Sequence, residues 1–353
     1  MRWLANAAVM VVAAAIPCLI AEAALQIAAP PADTPQLFRK LPNGAEWSGR
    51  PNARGLHAGV PVSFNRLGLR DAERAAQPAP GTARILALGD SVTFGMGVAQ
   101  GETYPRQTEA LLNAGRRRSG ARVEVLNMGM PGYNTLHQLA QLREVGLALE
   151  PKIVVVGFLY NDVEPSSAQR GAAMPGREAR SLGGRVKSGI NASVLWLKKN
   201  SLLFAWASPR VGSLLRPLGL KGFGQVGAVK DQYVDSNPQW RSVREALLEM
   251  KRLTAERGIE LVVMIIPAML KFDDATYPIK EYHAAVAAFC REHGIRALDL
   301  LPAFWGLDGT RFWISTTDGH PNAEGQAIIA QALAAQLAPL LPPAAMLATG
   351  RAR

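Results

Sequence analysis

The chain has 353 residues, 48% of them apolar, with two Cys, five His and a net charge of +11. That length and apolar content suit a folded core and exclude wholesale disorder, and the length alone allows about two domains. Two Cys exclude a disulfide-built scaffold and a four-cysteine zinc site, and five scattered His leave little material for a metal cluster.

The first segment is apolar from Trp3 to Ala21, broken only by Asn6 and Pro17, with Arg2 ahead of it. Nineteen helical residues reach about 28 Å, enough for a bilayer core. The spacing predicts a membrane helix within residues 1–28. It reads as an uncleaved signal-anchor, or as a signal peptide cut after Ala21-Glu22-Ala23. Arg2 predicts an inside N-terminus with the remainder exported, so the expected location is the inner membrane, with the main domain in the periplasm.

Residues 29–82 read as a linker and short N-terminal extension. Ala29 to Pro51 is Pro-, Gly- and Ala-rich and is expected to hold little regular structure. Val60 to Phe64 forms a short strand closed by Asn65-Arg66-Leu67-Gly68. Asn65, Gly68, Arg70 and Asp71 read as a clip for this segment rather than as part of a site. A second linker follows from Ala75 to Gly81.

From residue 83 the pattern changes. Apolar runs at Arg84–Leu88, Arg122–Leu126, Ile153–Phe158, Glu260–Ile266 and Arg296–Leu300 read as five strands. Helical spacing appears at Thr103–Ala114, Leu136–Leu149, Trp240–Arg257, Tyr282–His293 and Asn322–Leu337, with Gly258 as a C-cap and Asn322 as an N-cap. Strands alternating with helices predict an α/β domain over 83–340, with a parallel five-stranded sheet covered on both faces. An insertion spans about 163–238. From Val163 to Asp235 there are eleven Lys or Arg against four Asp or Glu, a surplus of seven. A basic insertion explains most of the charge, and no zinc finger, RNA-recognition motif or basic zipper points to nucleic acid. Within it, Val194 to Trp206 reads as a helix packing on the core, with a lid as the alternative. Asn191-Ala192-Ser193 fits a glycosylation sequon by chance. Residues 341–353 read as a flexible tail.

Parallel sheets place their chemistry after the C-terminal strand ends. Gly89-Asp90-Ser91 follows the first strand, where Ser91 is a nucleophile or an N-cap. It is not a G-x-S-x-G elbow, since Thr93 stands where the second Gly belongs. Met130-Pro131-Gly132 follows the second strand, where Gly132 can aim an N–H into a site or simply turn the chain. Tyr160-Asn161-Asp162 follows the third, where Asn161 offers an N–H donor to an oxyanion or makes an Asx turn. Asp318-Gly319-His320 follows the fifth, where His320 is a base oriented by Asp318, or is structural.

Taken together, these four blocks resemble those of the SGNH hydrolases, the GDSL-like esterase and lipase superfamily: Gly89-Asp90-Ser91, Gly132, the run from Gly157 to Asn161 and Asp162, and Asp318-Gly319-His320. The resemblance covers roughly Arg84 to Leu337 outside the insertion. It implies a three-layer α/β/α, flavodoxin-like sandwich and a metal-free, cofactor-free serine hydrolysis of esters. Ser91, His320 and Asp318 would be catalytic, with Gly132 and Asn161 in the oxyanion hole. One departure stands out. The common pattern puts the Asp three residues before the His, where this chain has Thr317, and Asp318 lies two before. Export and charge point to an esterase that removes short acyl groups, O-acetyl first among them, from a carbohydrate of the envelope or a secreted polysaccharide. The alternatives are an O-acyltransferase with the same triad and a non-catalytic carbohydrate-binding module.

Overall fold

Two hairpins come first. β1 (Phe38–Lys40) pairs antiparallel with β2 (Trp47–Gly49), and β3 (Arg54–His57) pairs with β4 (Val60–Ser63). The stretch expected to lack regular structure therefore carries a hairpin in its second half. The reason is packing rather than propensity: Leu37 and Ala45 are buried with Val62, Phe64, Phe94, Met130 and Tyr133 in a small core of their own.

The main sheet follows. β5 (Thr82–Leu88), β6 (Arg122–Asn127), β7 (Ile153–Phe158), β8 (Glu260–Ile265) and β9 (Arg296–Asp299) are all parallel, in the order β6-β5-β7-β8-β9. This is the flavodoxin-like order, with its switch point between β5 and β7. All six residues of β7 are buried. A strand apolar on both sides needs helices on both faces. α2 (Tyr104–Ala114) and α6 (Ala323–Leu337) pack together on one face. On the other, α3 (Thr135–Gln141) packs on α4 (Pro238–Ala255), and Trp240 of α4 meets Phe289 of α5 (Lys280–Glu292) edge-on at 5.9 Å. α1 (Ser91–Phe94) is a single turn after β5, and β10 (Trp313–Ser315) pairs antiparallel with β11 (Asp318–Pro321). The α/β sandwich expected from the alternating pattern is present. The helix expected over Leu136–Leu149 ends at Gln141 and continues as a wider turn over Leu142–Gly146.

The computed structural model describes residues 16–24, 34, 36–114, 116, 121–165, 229, 232–273, 277–315 and 318–342. By chain contacts it divides into one unit of Met1–Ala32 with Gln169–Gln225 and another of Asp33–Ala168 with Val226–Arg353. Residues 16–24 are helical. Among the described residues, no helix is long and apolar enough to cross a membrane. Most of the expected span Trp3–Ala21, the helix expected at Val194–Trp206, the sequon and the tail from residue 343 lie outside the described residues.

The turn after β4 clips the N-terminal segment down. The Asn65 carboxamide oxygen accepts from Leu67 and Leu69 N–H at 2.9 and 3.0 Å. Arg70, 1% exposed, donates to the carbonyls of Phe94, Gly95 and Val98 at 2.9, 2.5 and 2.6 Å. Arg74 bridges Asp71 at 3.1 Å and Glu109 at 2.6 Å, all three buried. Buried charges persist only when paired and hydrogen-bonded in this way.

Candidate active site

β5 ends at Leu88, and Gly89 leads into α1. Asp90 caps that turn: its side chain accepts from Val92 N–H at 2.9 Å. Ser91 is the first helical residue, just beyond the C-terminal end of β5. The turn is held from below by Arg70 and from the side by Thr93, whose hydroxyl meets the buried Tyr104 hydroxyl at 2.9 Å.

His320 Nε2 lies 2.8 Å from Ser91 Oγ, although 229 residues separate the two. His320 Nδ1 lies 2.5 Å from Asp318 Oδ1, and the same oxygen accepts the His320 backbone N–H at 3.0 Å. Both residues belong to β11, where positions i and i+2 share a face. A spacing of two is therefore sufficient here, because the segment is a strand. One carboxylate oxygen reaches both nitrogens of the same residue, which sets the imidazole orientation and its Nδ1–H tautomer.

Electrostatics follow the geometry. Burial lowers the His320 pKa, but the hydrogen bond and charge of Asp318 and the charge of Asp90 outweigh it, so it ends above the ordinary 6.5. The hydrogen bond from His320 holds the Asp318 carboxyl below the usual carboxylate range, against its partial burial. Asp90, 1% exposed, is pushed up by burial and held back by the Val92 N–H, the His320 charge and the Asn161 side chain. An imidazole between an acidic carboxylate and a serine hydroxyl can take the hydroxyl proton and be stabilised as imidazolium.

Gly132 and Asn161 stand in the two loops beside this line. The loop after β6 lies against α1: Met130 N–H donates to Gly89 O at 3.1 Å, and a Cβ on Gly129 would sit 2.2 Å from Phe94 N. Gly129 is thus required by close approach of backbone to backbone. Asn161 lies in the turn Tyr160–Val163, close enough to Asp90 for its side chain to hold the Asp90 carboxyl down. Next to it, Asp162 ties the two loops together. Its oxygens accept from Thr135 Oγ1 and Gln138 Nε2, both at 2.9 Å, and from Leu159 N–H at 2.7 Å. Asn134 Nδ2 adds a bond to Glu164 O at 2.8 Å.

Asp90, Asp162 and Trp47 also belong to this region. Asp90 and Asp162 sit inside the motif blocks beside Ser91 and Asn161, where their position in the sequence marks them. Trp47 lies in a Pro/Gly-rich stretch with no periodic pattern to mark it.

Residues 87–328 match the model of the GDSL-like Lipase/Acylhydrolase family. The chain belongs to that family and is a hydrolase of ester bonds. No curated protein matches it. Among solved structures it is similar to Axe2, an acetylxylan esterase from Geobacillus stearothermophilus, with 17% identity over 72% of this chain and 94% of that one and a TM-score of 0.42. It is also similar to TesA, with 16% identity over 73% and 99% of the chains and a TM-score of 0.42. LAE5, an α/β hydrolase from the metagenome of Lake Arreo, Spain, has 17% identity over 78% and 98% and a TM-score of 0.40.

Proposed function

We propose that the protein is a serine esterase that removes short acyl groups, O-acetyl first among them, from a carbohydrate of the cell envelope or a secreted polysaccharide. The observation that carries this reading is the hydrogen-bonded line from Asp318 through His320 to Ser91. Ser91 Oγ attacks the ester carbonyl while His320 Nε2 takes its proton. The tetrahedral oxyanion is met by the Ser91 and Gly132 N–H groups and the Asn161 amide. His320 then returns the proton to the departing sugar hydroxyl, leaving an acyl-Ser91. Water, deprotonated by His320, attacks that acyl group; the acyl–Oγ bond breaks, His320 returns the proton to Ser91 Oγ, and the carboxylic acid leaves. Asp318 stays ionised and stabilises the imidazolium.

The carbohydrate part of the reading rests on placement and charge. The apolar run Trp3–Ala21 behind Arg2 supports export and tethering to the inner membrane, with the catalytic domain in the periplasm, and the surplus of +11 favours an anionic polymer over a neutral lipid. The test is hydrolysis of p-nitrophenyl acetate, butyrate and octanoate by the full chain in detergent, beside its Ser91→Ala variant. Turnover should require Ser91 and decline with acyl length. Turnover that persists in Ser91→Ala would remove the serine mechanism, and a preference for octanoate would remove the short-acyl substrate. Acetyl transfer to an oligosaccharide outpacing hydrolysis would replace the esterase with an acyltransferase.

A further inference from the structure

The Pro131–Gly132 peptide is the middle of a tight turn. Tyr133 N–H donates to Met130 O at 3.1 Å, Pro131 is the second residue, and Gly132 is the third with φ +78°. Pro followed by a residue of positive φ is the type II arrangement. Types I and II differ by a flip of this central peptide, and a trans peptide holds its C=O and N–H in opposite directions. The turn type therefore decides which side of the loop receives the Gly132 N–H.

One side is already taken. The Trp47 indole N–H donates to the Pro131 carbonyl at 3.2 Å, and the Trp47 ring lies 3.4 Å from where a Gly132 Cβ would stand. The Gly132 N–H leaves on the opposite side, and among the described residues it makes no backbone hydrogen bond. A flipped turn would bring the Gly132 N–H against the indole N–H, two donors with no acceptor between them. Trp47 is itself anchored. Its carbonyl accepts from the Tyr133 hydroxyl. Its ring meets Tyr133 edge-on at 5.3 Å and His137 at 5.0 Å, and the neighbouring Glu46 reaches His137 Nε2 at 3.2 Å.

We propose that Trp47 is a positioning residue of the oxyanion hole: its indole N–H holds the Pro131–Gly132 peptide in the one orientation that presents the Gly132 N–H to the acyl oxygen. This rests on the reading of Gly132 as an oxyanion donor. The bond also polarises the peptide, since a carbonyl that accepts a hydrogen bond makes its own N–H a stronger donor. Trp47 lies outside residues 87–328, so the N-terminal hairpin β1–β2 supplies a part of the site that the family-matched residues lack.

Trp47→Phe keeps an aromatic ring and removes only the N–H. Variants of the full chain are assayed with p-nitrophenyl acetate at a temperature where circular dichroism shows each folded. Trp47→Phe should lower kcat about tenfold or more, with KM within about threefold, because the lost contact acts on the transition state. The Ki of a boronic acid, which forms a tetrahedral adduct on the serine, should rise by the factor by which kcat/KM falls. Trp47→His, which retains a ring N–H, should recover part of kcat. Phe38→Leu, on the same hairpin, should lower Tm and leave kcat unchanged. A wild-type kcat in Trp47→Phe overturns the assignment, and so does a loss seen in KM alone. If Ser91→Ala keeps turnover, the underlying serine reading is what fails. If Ser91→Ala is dead while Trp47→Phe is unimpaired, only Trp47 loses its role.

Discussion

Asp318 and His320 leave the same face of one strand, and a single carboxylate oxygen of Asp318 reaches both the backbone N–H and the imidazole Nδ1 of His320. Asp318→Asn keeps the side-chain shape and removes the charge. Its amide favours the wrong imidazole tautomer and leaves the imidazolium unsupported. We expect kcat to fall by ~10²–10⁴ with little change in KM, measured on p-nitrophenyl acetate. A loss under threefold would show that another group orients His320.

The pH profile follows from the same contacts. In the proposed mechanism His320 must be neutral to accept the serine proton, and its pKa is raised by Asp318 and Asp90. The acid limb of kcat/KM should thus lie above 6.5, the ordinary imidazole value, with activity rising as pH climbs through it. Asp90→Asn removes one of the charges that raise this pKa, so its acid limb should move to lower pH. A limb that stays put would show that Asp90 carries no charge in the working enzyme.

Asn161 lies in the turn after β7, and the loop it belongs to is braced by Asp162. Asn161→Ala should therefore fold normally and lose the donor that the proposed mechanism assigns to the oxyanion hole. The expected cost is ~10²–10³ in kcat, without abolition of turnover. Unchanged kcat would take Asn161 out of the oxyanion hole.

Gly132 sits at φ +78°, a region that costs an L-residue about 1–2 kcal/mol. The cheap escape for an alanine is to flip the preceding peptide, which turns the N–H out of the site. Gly132→Ala should lower kcat more than it lowers Tm. Equal kcat with a lower Tm would mean that the turn survives unflipped.

Arg74 bridges both Asp71 and Glu109, and all three side chains are buried. Arg74→Ala leaves the buried Asp71 without its cation and leaves Glu109 with the more exposed Arg106 alone. The expected loss is about 3–5 kcal/mol, read from the urea unfolding midpoint. A shift of that size in the midpoint, with kcat intact at low temperature, would mark the clip as structural.

Local pattern by itself determined the scaffold. A strand buried on both faces must be apolar throughout, so the runs at Arg84–Leu88, Ile153–Phe158 and Glu260–Ile266 announce themselves. The helices between them force parallel pairing, and parallel pairing puts Ser91, Gly132, Asn161 and His320 at one end of one sheet. What only the tertiary structure decided were the contacts between distant segments. Residues 29–51 show no periodicity, and their hairpin exists because Leu37, Ala45 and Trp47 find Phe94, Pro131 and Tyr133 to pack against. The Asp318 spacing departs from the common pattern on paper, and the strand geometry of β11 is what lets its carboxylate reach the His320 ring. Periodicity reports which face of an element is buried. It carries no information about which residue, 84 positions away, accepts the Trp47 indole proton.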